Sequence, residues 1–219
     1  MVDDEDVRLA VYDCFATTGR APSAAELAEL LGGTTADAEA SLRRLHDARH
    51  VVLDDGAIVM AHPFAAVPLG FAVMGRDTLW WGGCAWDSFA LPHLLPDEPP
   101  VLVATRCPSC GTAHAWNVGR AAPPDGDQVA HFLVPVRRIW DDVVASCRNQ
   151  RLFCDRDCVA AWLAATGNDE GAVLDLPTLW RLARHWYDGR LERGHRRRDP
   201  VTATAYFAEV GLTGPFWER

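Results

Sequence analysis

Two cysteines and one aspartate form a set suited to an uncommon chemistry. The stretch Trp80-Trp81-Gly82-Gly83-Cys84-Ala85-Trp86-Asp87 puts a thiol three residues ahead of an acid, and a second thiol, Cys147, lies far downstream. Two sulfurs can hold a soft, thiophilic metal, and a carboxylic acid can hand a proton to the group that metal was bonded to. Gly82-Gly83 is expected to break a strand and Cys84 to open a helix reaching Leu95, with Cys84 and Asp87 on one helical face. A thiol in a first helical turn lies near the positive end of the dipole, which favours the thiolate. Taken alone, the pair also suits a plainer role, a buried cysteine beside an acid that stabilises a helix start.

The remaining cysteines bear on that choice. The chain holds seven, an odd number, and in a reducing compartment clustered cysteines act more often as ligands or nucleophiles than as disulfides. Cys107-Pro108-Ser109-Cys110-Gly111 is a knuckle in which two sulfurs converge and glycine permits the turn. Cys154 and Cys158 open a later helix. Knuckle, strand and cysteine pair at a helix start are the layout of a treble clef, so Cys107, Cys110, Cys154 and Cys158 are expected to form a closed, tetrahedral, structural zinc site. The plainer alternative is four reduced, unliganded thiols. Cys14 falls on the apolar stripe of the first helix and is expected in the core. Subtracting these five leaves Cys84 and Cys147.

Composition narrows the setting. A formal net charge of −9 disfavours general binding to nucleic acid or to an anionic membrane. No apolar run reaches the roughly 20 residues needed to span a bilayer, and the acidic N-terminus lacks the features of a signal peptide; a cytoplasmic location is the expectation. Nine tryptophans suggest a heavily aromatic core or an apolar pocket.

The positioning elements follow from patterning. Residues 1–66 are expected to form a winged-helix-like domain and linker. It comprises a helix over Asp6–Thr17, a second opened by the Ser23/Glu26 capping box, a third from Thr34 or Thr35 to Ala48, and a hairpin on Asp55-Gly56. Arg43, Arg44 and Arg49 on the third helix and just after it stand against Asp37, Glu39 and Asp47, which favours a packing module over a DNA reader. Ala61–Pro68 reads as a proline-punctuated linker, in which His62 is expected to be a surface or packing residue. Residues 67–219 form a mixed α/β domain. It begins with strands over Leu69–Met74 and Thr78–Trp81, followed by further strands over Val101–Thr105 and Val129–Val136. Helices over Pro177–Tyr187 and Thr202–Val210 close the chain, with Phe216-Trp217 docking the tail. The fold class is α+β. Between those helices lies the basic run Gly194-His195-Arg196-Arg197-Arg198-Asp199, either a patch for an anionic partner or a solvated loop. His185 and His195 show no ligand partner.

At Cys84-Ala85-Trp86-Asp87, and at Cys147 with Leu152-Phe153 and Trp162 following, the sequence resembles the bacterial organomercurial (alkylmercury) lyase family, and the similarity includes the winged-helix-like front end. Cys84 matches the family's first catalytic cysteine, Asp87 its acid and Cys147 its second cysteine. A competing alignment puts the second cysteine at Cys154, but the spacing to Phe153 and Trp162 fits Cys147 better. The four-cysteine set and the extended section after Leu176 depart from the family pattern and mark a divergent branch.

The resemblance implies an enzyme that cleaves a carbon–metal bond by protonolysis. The thiolates of Cys84 and Cys147 would bind mercury, and Asp87, kept near neutral in a poorly solvated pocket, would protonate the leaving carbon. It implies a small organometallic substrate, no organic cofactor, and soluble thiols or a mercuric reductase as acceptors of the product. Trp80, Trp81 and Trp86 are expected to wall the pocket. Other classes stay open. A thiol-based metal-responsive regulator would need tight operator binding, a metal carrier would have no use for the acid, and a biosynthetic enzyme could keep the fold with another substrate.

Overall fold

The computed structural model describes residues 2–218. Three helices open the chain: α1 (Asp4–Thr18), α2 (Ala24–Leu31) and α3 (Thr35–Asp47). Asp3 caps α1, which stops where Gly19 turns left-handed at φ 73°, and the Ser23/Glu26 capping box is formed at the start of α2. The inner stripe of α1 is Val7, Val11, Tyr12 and Phe15. Cys14, expected in the core, is only partly buried and lies beside Thr18; Tyr12 takes the stripe instead. Arg8 is 1% exposed, paired with Glu5 and donating to the carbonyls of Arg190 and Glu192, so α1 fastens a segment near the other end of the chain.

Ten strands follow. A seven-stranded sheet has the order β1-β2-β3-β5-β4-β6-β7, built from β1 (Val52–Asp54), β2 (Ala57–Ala61), β3 (Phe64–Ala65), β4 (Phe71–Met74), β5 (Leu79–Gly82), β6 (Val101–Arg106) and β7 (Ala113–Val118). Every pairing is antiparallel. The stretch expected as a linker thus supplies β3, whose Phe64 and Ala65 are fully buried. A second sheet, β10-β8-β9, is formed by β8 (Val129–Phe132), β9 (Gln150–Phe153) and β10 (Ala172–Asp175). β8 stops at Phe132, short of the Val136 expected, and Pro135, which has no N–H for a ladder, leads into a 3-10 turn at Val136–Arg138.

Helix α4 (Ala85–Leu94) lies between the large sheet and α7 (Leu176–Arg184), buried on nearly all sides. Such a helix is apolar all round, as Trp86, Phe89, Ala90 and Leu91 make it. Helices α5 (Val143–Arg148), α6 (Arg156–Thr166) and α8 (Pro200–Glu209) complete the mixed α/β fold. Phe132, Phe207 and Trp217 pack together, docking the tail. Among the described residues, no helix is long and apolar enough to cross a membrane.

Candidate active site and cysteine cluster

Cys84 is the N-cap of α4, in extended conformation, and its sulfur accepts from the Asp87 amide at 3.4 Å. The three-residue spacing therefore folds the acid back over the thiol: Cys84 Sγ donates to Asp87 Oδ2 across 3.2 Å. The glycines ahead of them make this approach possible. A Cβ on Gly83 would stand 2.3 Å from Asp87 Oδ2, and one on Gly82 would stand 2.0 Å from Ser88 Oγ. Gly82 is the last residue of β5, so the pair gives way to α4 rather than merely interrupting a strand.

Cys147, on α5, reaches the same carboxylate oxygen, its sulfur 3.8 Å from Asp87 Oδ2, and the two thiols interact directly. Asp87 Oδ1 accepts from the Tyr187 hydroxyl at 2.5 Å. Cys84, Asp87 and Cys147 are each at most 2% exposed. The three residues singled out by sequence are thus brought together.

Burial governs the electrostatics. It pushes Asp87 up to about 6, against bonds from Tyr187 and Cys84 that favour the carboxylate. The Cys84 thiol is driven well above its ordinary value by burial first, then by Cys147 and Asp87. The expectation that the helix dipole would favour a Cys84 thiolate is therefore corrected: desolvation of a buried sulfur beside an acid outweighs a dipole effect of about 1 kcal/mol. Cys147 is also raised: its bond with Cys84 lowers it, but burial and Asp87 outweigh that bond.

His62, Gln150, Tyr187 and Arg190 also line the pocket. His62, expected to be a surface or packing residue, is buried between β2 and β3 with Nε2 3.4 Å from Cys147 Sγ. Burial first, then Arg190 and Arg197, lowers its pKa to about 3, keeping the ring neutral. With Asp87 and Cys147 it forms a set of donor atoms within 4.8 Å of one another. Tyr187 and Arg190 arrive from the segment after α7, and Gln150 from the start of β9. Among the aromatic walls, Trp86 is as expected, but its companions are Trp140 and Trp186. Trp80 instead faces α1, donating to the Phe15 carbonyl at 2.8 Å, and Trp81 borders no part of the pocket. None of these partners carries a local sequence signal, since each joins the site only through tertiary packing.

The other four cysteines also converge. Cys107, Cys110, Cys154 and Cys158 have sulfurs within 4.8 Å of one another, a set able to hold a metal ion. Gly111, at φ 75°, closes the knuckle with its amide on the Cys107 carbonyl. Cys110 Sγ lies 3.4 Å from Cys154 Sγ and 4.0 Å from Cys158 Sγ. Asp155 caps α6 through the Cys158 amide, setting that sulfur's direction. His114, unforeseen, places Nε2 3.3 Å from Cys154 Sγ.

No curated protein matches the chain in sequence. The fold is similar to that in the crystal structure of the mercury-bound form of MerB2, with a TM-score of 0.65 and 17% identity over 87% of this chain and 93% of that one. Residues 64–188, more than half of the chain, match the family model for alkylmercury lyase, MerB, and the span takes in β3 through Tyr187 with Cys84, Asp87 and Cys147. The chain belongs to the alkylmercury lyase family.

Proposed function

We propose that this enzyme cleaves the carbon–mercury bond of small organomercurials by protonolysis, with Cys84 and Cys147 as metal-binding thiolates and Asp87 as the acid that protonates carbon. The observation that carries the reading is the position of one carboxylate oxygen against two thiols, 3.2 Å from one and 3.8 Å from the other. Both sulfurs rest as thiols because burial raises them, so two protons enter the reaction with the protein. With a substrate R–Hg–X, the first sulfur displaces X, which leaves with one proton as HX. The second sulfur adds to mercury and surrenders its proton to Asp87, which delivers it to the carbon as the Hg–C bond breaks. The products are R–H and Hg(II) held by two sulfurs, with no change of oxidation state. Tyr187 orients the acid through Oδ1 and leaves Oδ2 for the proton. Trp86, Trp140 and Trp186 keep water from competing. Soluble thiols or a mercuric reductase would take the metal away.

A carrier has no need of an acid held between its thiols, which favours the lyase. The N-terminal unit, residues 1–66, serves as a winged-helix-like packing module. Arg44 on α3 is engaged by Asp4, and Arg8 is spent on holding residues 190–192.

The four-cysteine cluster is a treble-clef-like structural zinc site. A tetrahedron of Zn–S bonds near 2.3 Å has edges of about 3.8 Å, and the sulfur separations of 3.4 and 4.0 Å bracket that length. Zinc would supply no chemistry there beyond cross-linking the knuckle, the end of β9 and the start of α6.

The test uses phenylmercury with excess thiol. Wild-type protein should release benzene, carrying one deuterium when the reaction is run in D2O. Cys84→Ser, Cys147→Ser and Asp87→Ala should each abolish release while leaving the circular dichroism spectrum intact. Turnover retained by any of the three would reject the role assigned to that residue.

A further inference from the structure

His62 has no part in the reaction above, yet its ring stands against one of the two reactive sulfurs. It lies in the short turn between β2 and β3, whose flanking residues Ala61 and Phe64 pair with each other. Neighbouring elements fix that turn. The His62 carbonyl accepts from the Tyr12 hydroxyl at 3.3 Å, the Pro63 carbonyl accepts from the Gly83 amide at 3.3 Å, and Phe64 pairs with Gly82. The residue before Cys84 is therefore bonded to the residue after His62, which sets the ring and the start of α4 in a fixed relation.

The ring lines the reactive pocket and rests on Trp140, centroids 5.6 Å apart. Buried polar side chains are ordinarily bonded to a carbonyl, a carboxylate or water. Among the described residues, the hydrogen-bond partner of this ring is the Cys147 sulfur, 3.4 Å from Nε2. A thiol is a weak donor and a weak acceptor, a small return for taking an imidazole out of water. The spacing suits a stronger use. His62 Nε2, Cys147 Sγ and an oxygen of Asp87 lie within 4.8 Å of one another. Taking the bond lengths of zinc sites, near 2.05 Å to nitrogen and 2.3 Å to sulfur, one ion holds such a pair about 3.1–3.6 Å apart at angles of roughly 90–110°. The 3.4 Å between Nε2 and Sγ falls inside that range.

We infer that His62 is a further catalytic residue, its Nε2 binding the substrate's mercury as a third protein ligand beside Cys84 and Cys147. The inference rests on the lyase reading. Two thiolates and the organic group give the metal three donors, and the ring adds a fourth from the Cys147 side. Its electron pair loosens the Hg–C bond while Asp87 delivers the proton. The new bond is dative: nitrogen supplies both electrons, the ring neither gains nor loses a proton, the Hg–C pair leaves with carbon, and mercury stays Hg(II). The ring proton is then on Nδ1, and the Nε2 lone pair faces the sulfur. Once R–H has gone, mercury rests on two sulfurs and one nitrogen until incoming thiols displace them.

The experiment uses the full chain, its histidines labelled with nitrogen-15, and one equivalent of phenylmercury enriched in mercury-199. After benzene has been released, one ring nitrogen should be split by coupling to mercury. The splitting should be absent from His62→Gln and should persist in His114→Gln, whose ring lies beside the four-cysteine cluster. His62→Gln should also yield its mercury to dithiothreitol roughly tenfold faster, the scale on which even groups outside the ligand set affect metal binding. A wild-type spectrum without mercury coupling would overturn the inference however slow His62→Gln proved, because a ring that only orients the Cys147 thiol makes no bond to the metal. Coupling lost in His114→Gln or kept in His62→Gln, or mercury released at the wild-type rate, would overturn it equally. Should His62→Gln fail to fold, the wild-type and His114→Gln spectra decide. Absence of benzene from the wild-type reaction would instead overturn the lyase reading, and the coupling would then be read after direct addition of one equivalent of mercury-199 chloride.

Discussion

The Tyr187 hydroxyl donates to Asp87 Oδ1 across 2.5 Å, joining α4 to a residue beyond α7 and leaving Oδ2 to Cys84 and Cys147. A hydrogen bond to a carboxylate contributes about 1.5–3 kcal/mol. Tyr187→Phe keeps the ring in its buried place, and the Arg190 contact with it, but releases the acid. The expected result is a kcat lower by roughly ten- to a hundredfold with a circular dichroism spectrum unchanged. Because Tyr187 holds the Asp87 pKa down, the pH profile of the variant should move upward. A loss of rate with no displacement of the profile would show that Tyr187 acts only by filling space.

Asp87 also leaves a signature in stability. Burial raises its pKa from 3.8 to about 6. Between those values the folded protein keeps a proton that the unfolded chain has released. Its contribution is therefore fully present below pH 4 and is lost as pH rises through 6. Above that, the buried carboxylate costs about 3 kcal/mol. Asp87→Asn removes the ionisation, so its melting temperature relative to wild type should be higher at pH 8 than at pH 4.5. Tryptophan fluorescence during thermal melting measures this, and an offset independent of pH would contradict it.

Much of the reactive centre was legible in local spacing. A cysteine opening a helix and an acid three residues on share one face, and the glycines before them mark the end of the strand. The capping box of α2 and the knuckle at Gly111 are likewise local, and both form as read. What escaped was settled by long-range packing. His62 lies 85 residues from Cys147 and Tyr187 lies 100 residues from Asp87, while Arg190 is held by Tyr12 from outside the pocket, and no periodicity links them. The Trp80-Trp81 pair misled because neighbours on a strand point to opposite faces: Trp80 went to α1, and neither ring reached the pocket. The Cys84 thiolate misled because a helix start was legible and the depth of its burial was not.

His62 should reveal itself on the acid side. Its pKa is lowered from 6.5 to about 3 by burial and by Arg190 and Arg197. The neutral ring supports stability above pH 6.5, and that support is lost progressively as pH falls towards 3, because the unfolded chain takes up a proton that the folded one refuses. At pH 4 the loss is about 3 kcal/mol. His50, His93 and His195, each pushed to about 4, add to the same slope, and Asp87 opposes it below pH 6. His62→Gln should lower the urea midpoint at pH 7 yet flatten its fall between pH 7 and 4.5. The variant should also be slower, since Nε2 no longer meets the Cys147 sulfur. An undiminished acid slope would mean that the ring is protonated in the folded state.

The four-cysteine cluster offers a prediction separable from catalysis. Beneath it lies a small apolar core of Cys107, Phe153 and Val159, against which Trp162 and Leu163 pack. That core is too small to hold the knuckle and α6 together without a cross-link. Protein purified without chelator should carry one zinc per chain by plasma mass spectrometry, and Cys158→Ser should carry much less. The variant should melt roughly 5–10 °C lower, the equivalent of about 2–3 kcal/mol for a chain of this size. Cys154 directly follows β9, whose first residue, Gln150, lines the reactive pocket, and β9 follows the helix that carries Cys147. Loss of the metal should therefore weaken the reactive centre indirectly. At temperatures well below the variant's melting point most of the protonolysis rate should survive, whereas Cys147→Ser should lose it at every temperature. Full zinc content in Cys158→Ser would remove that sulfur from the ligand set and point to His114, 3.3 Å from Cys154, as the fourth donor.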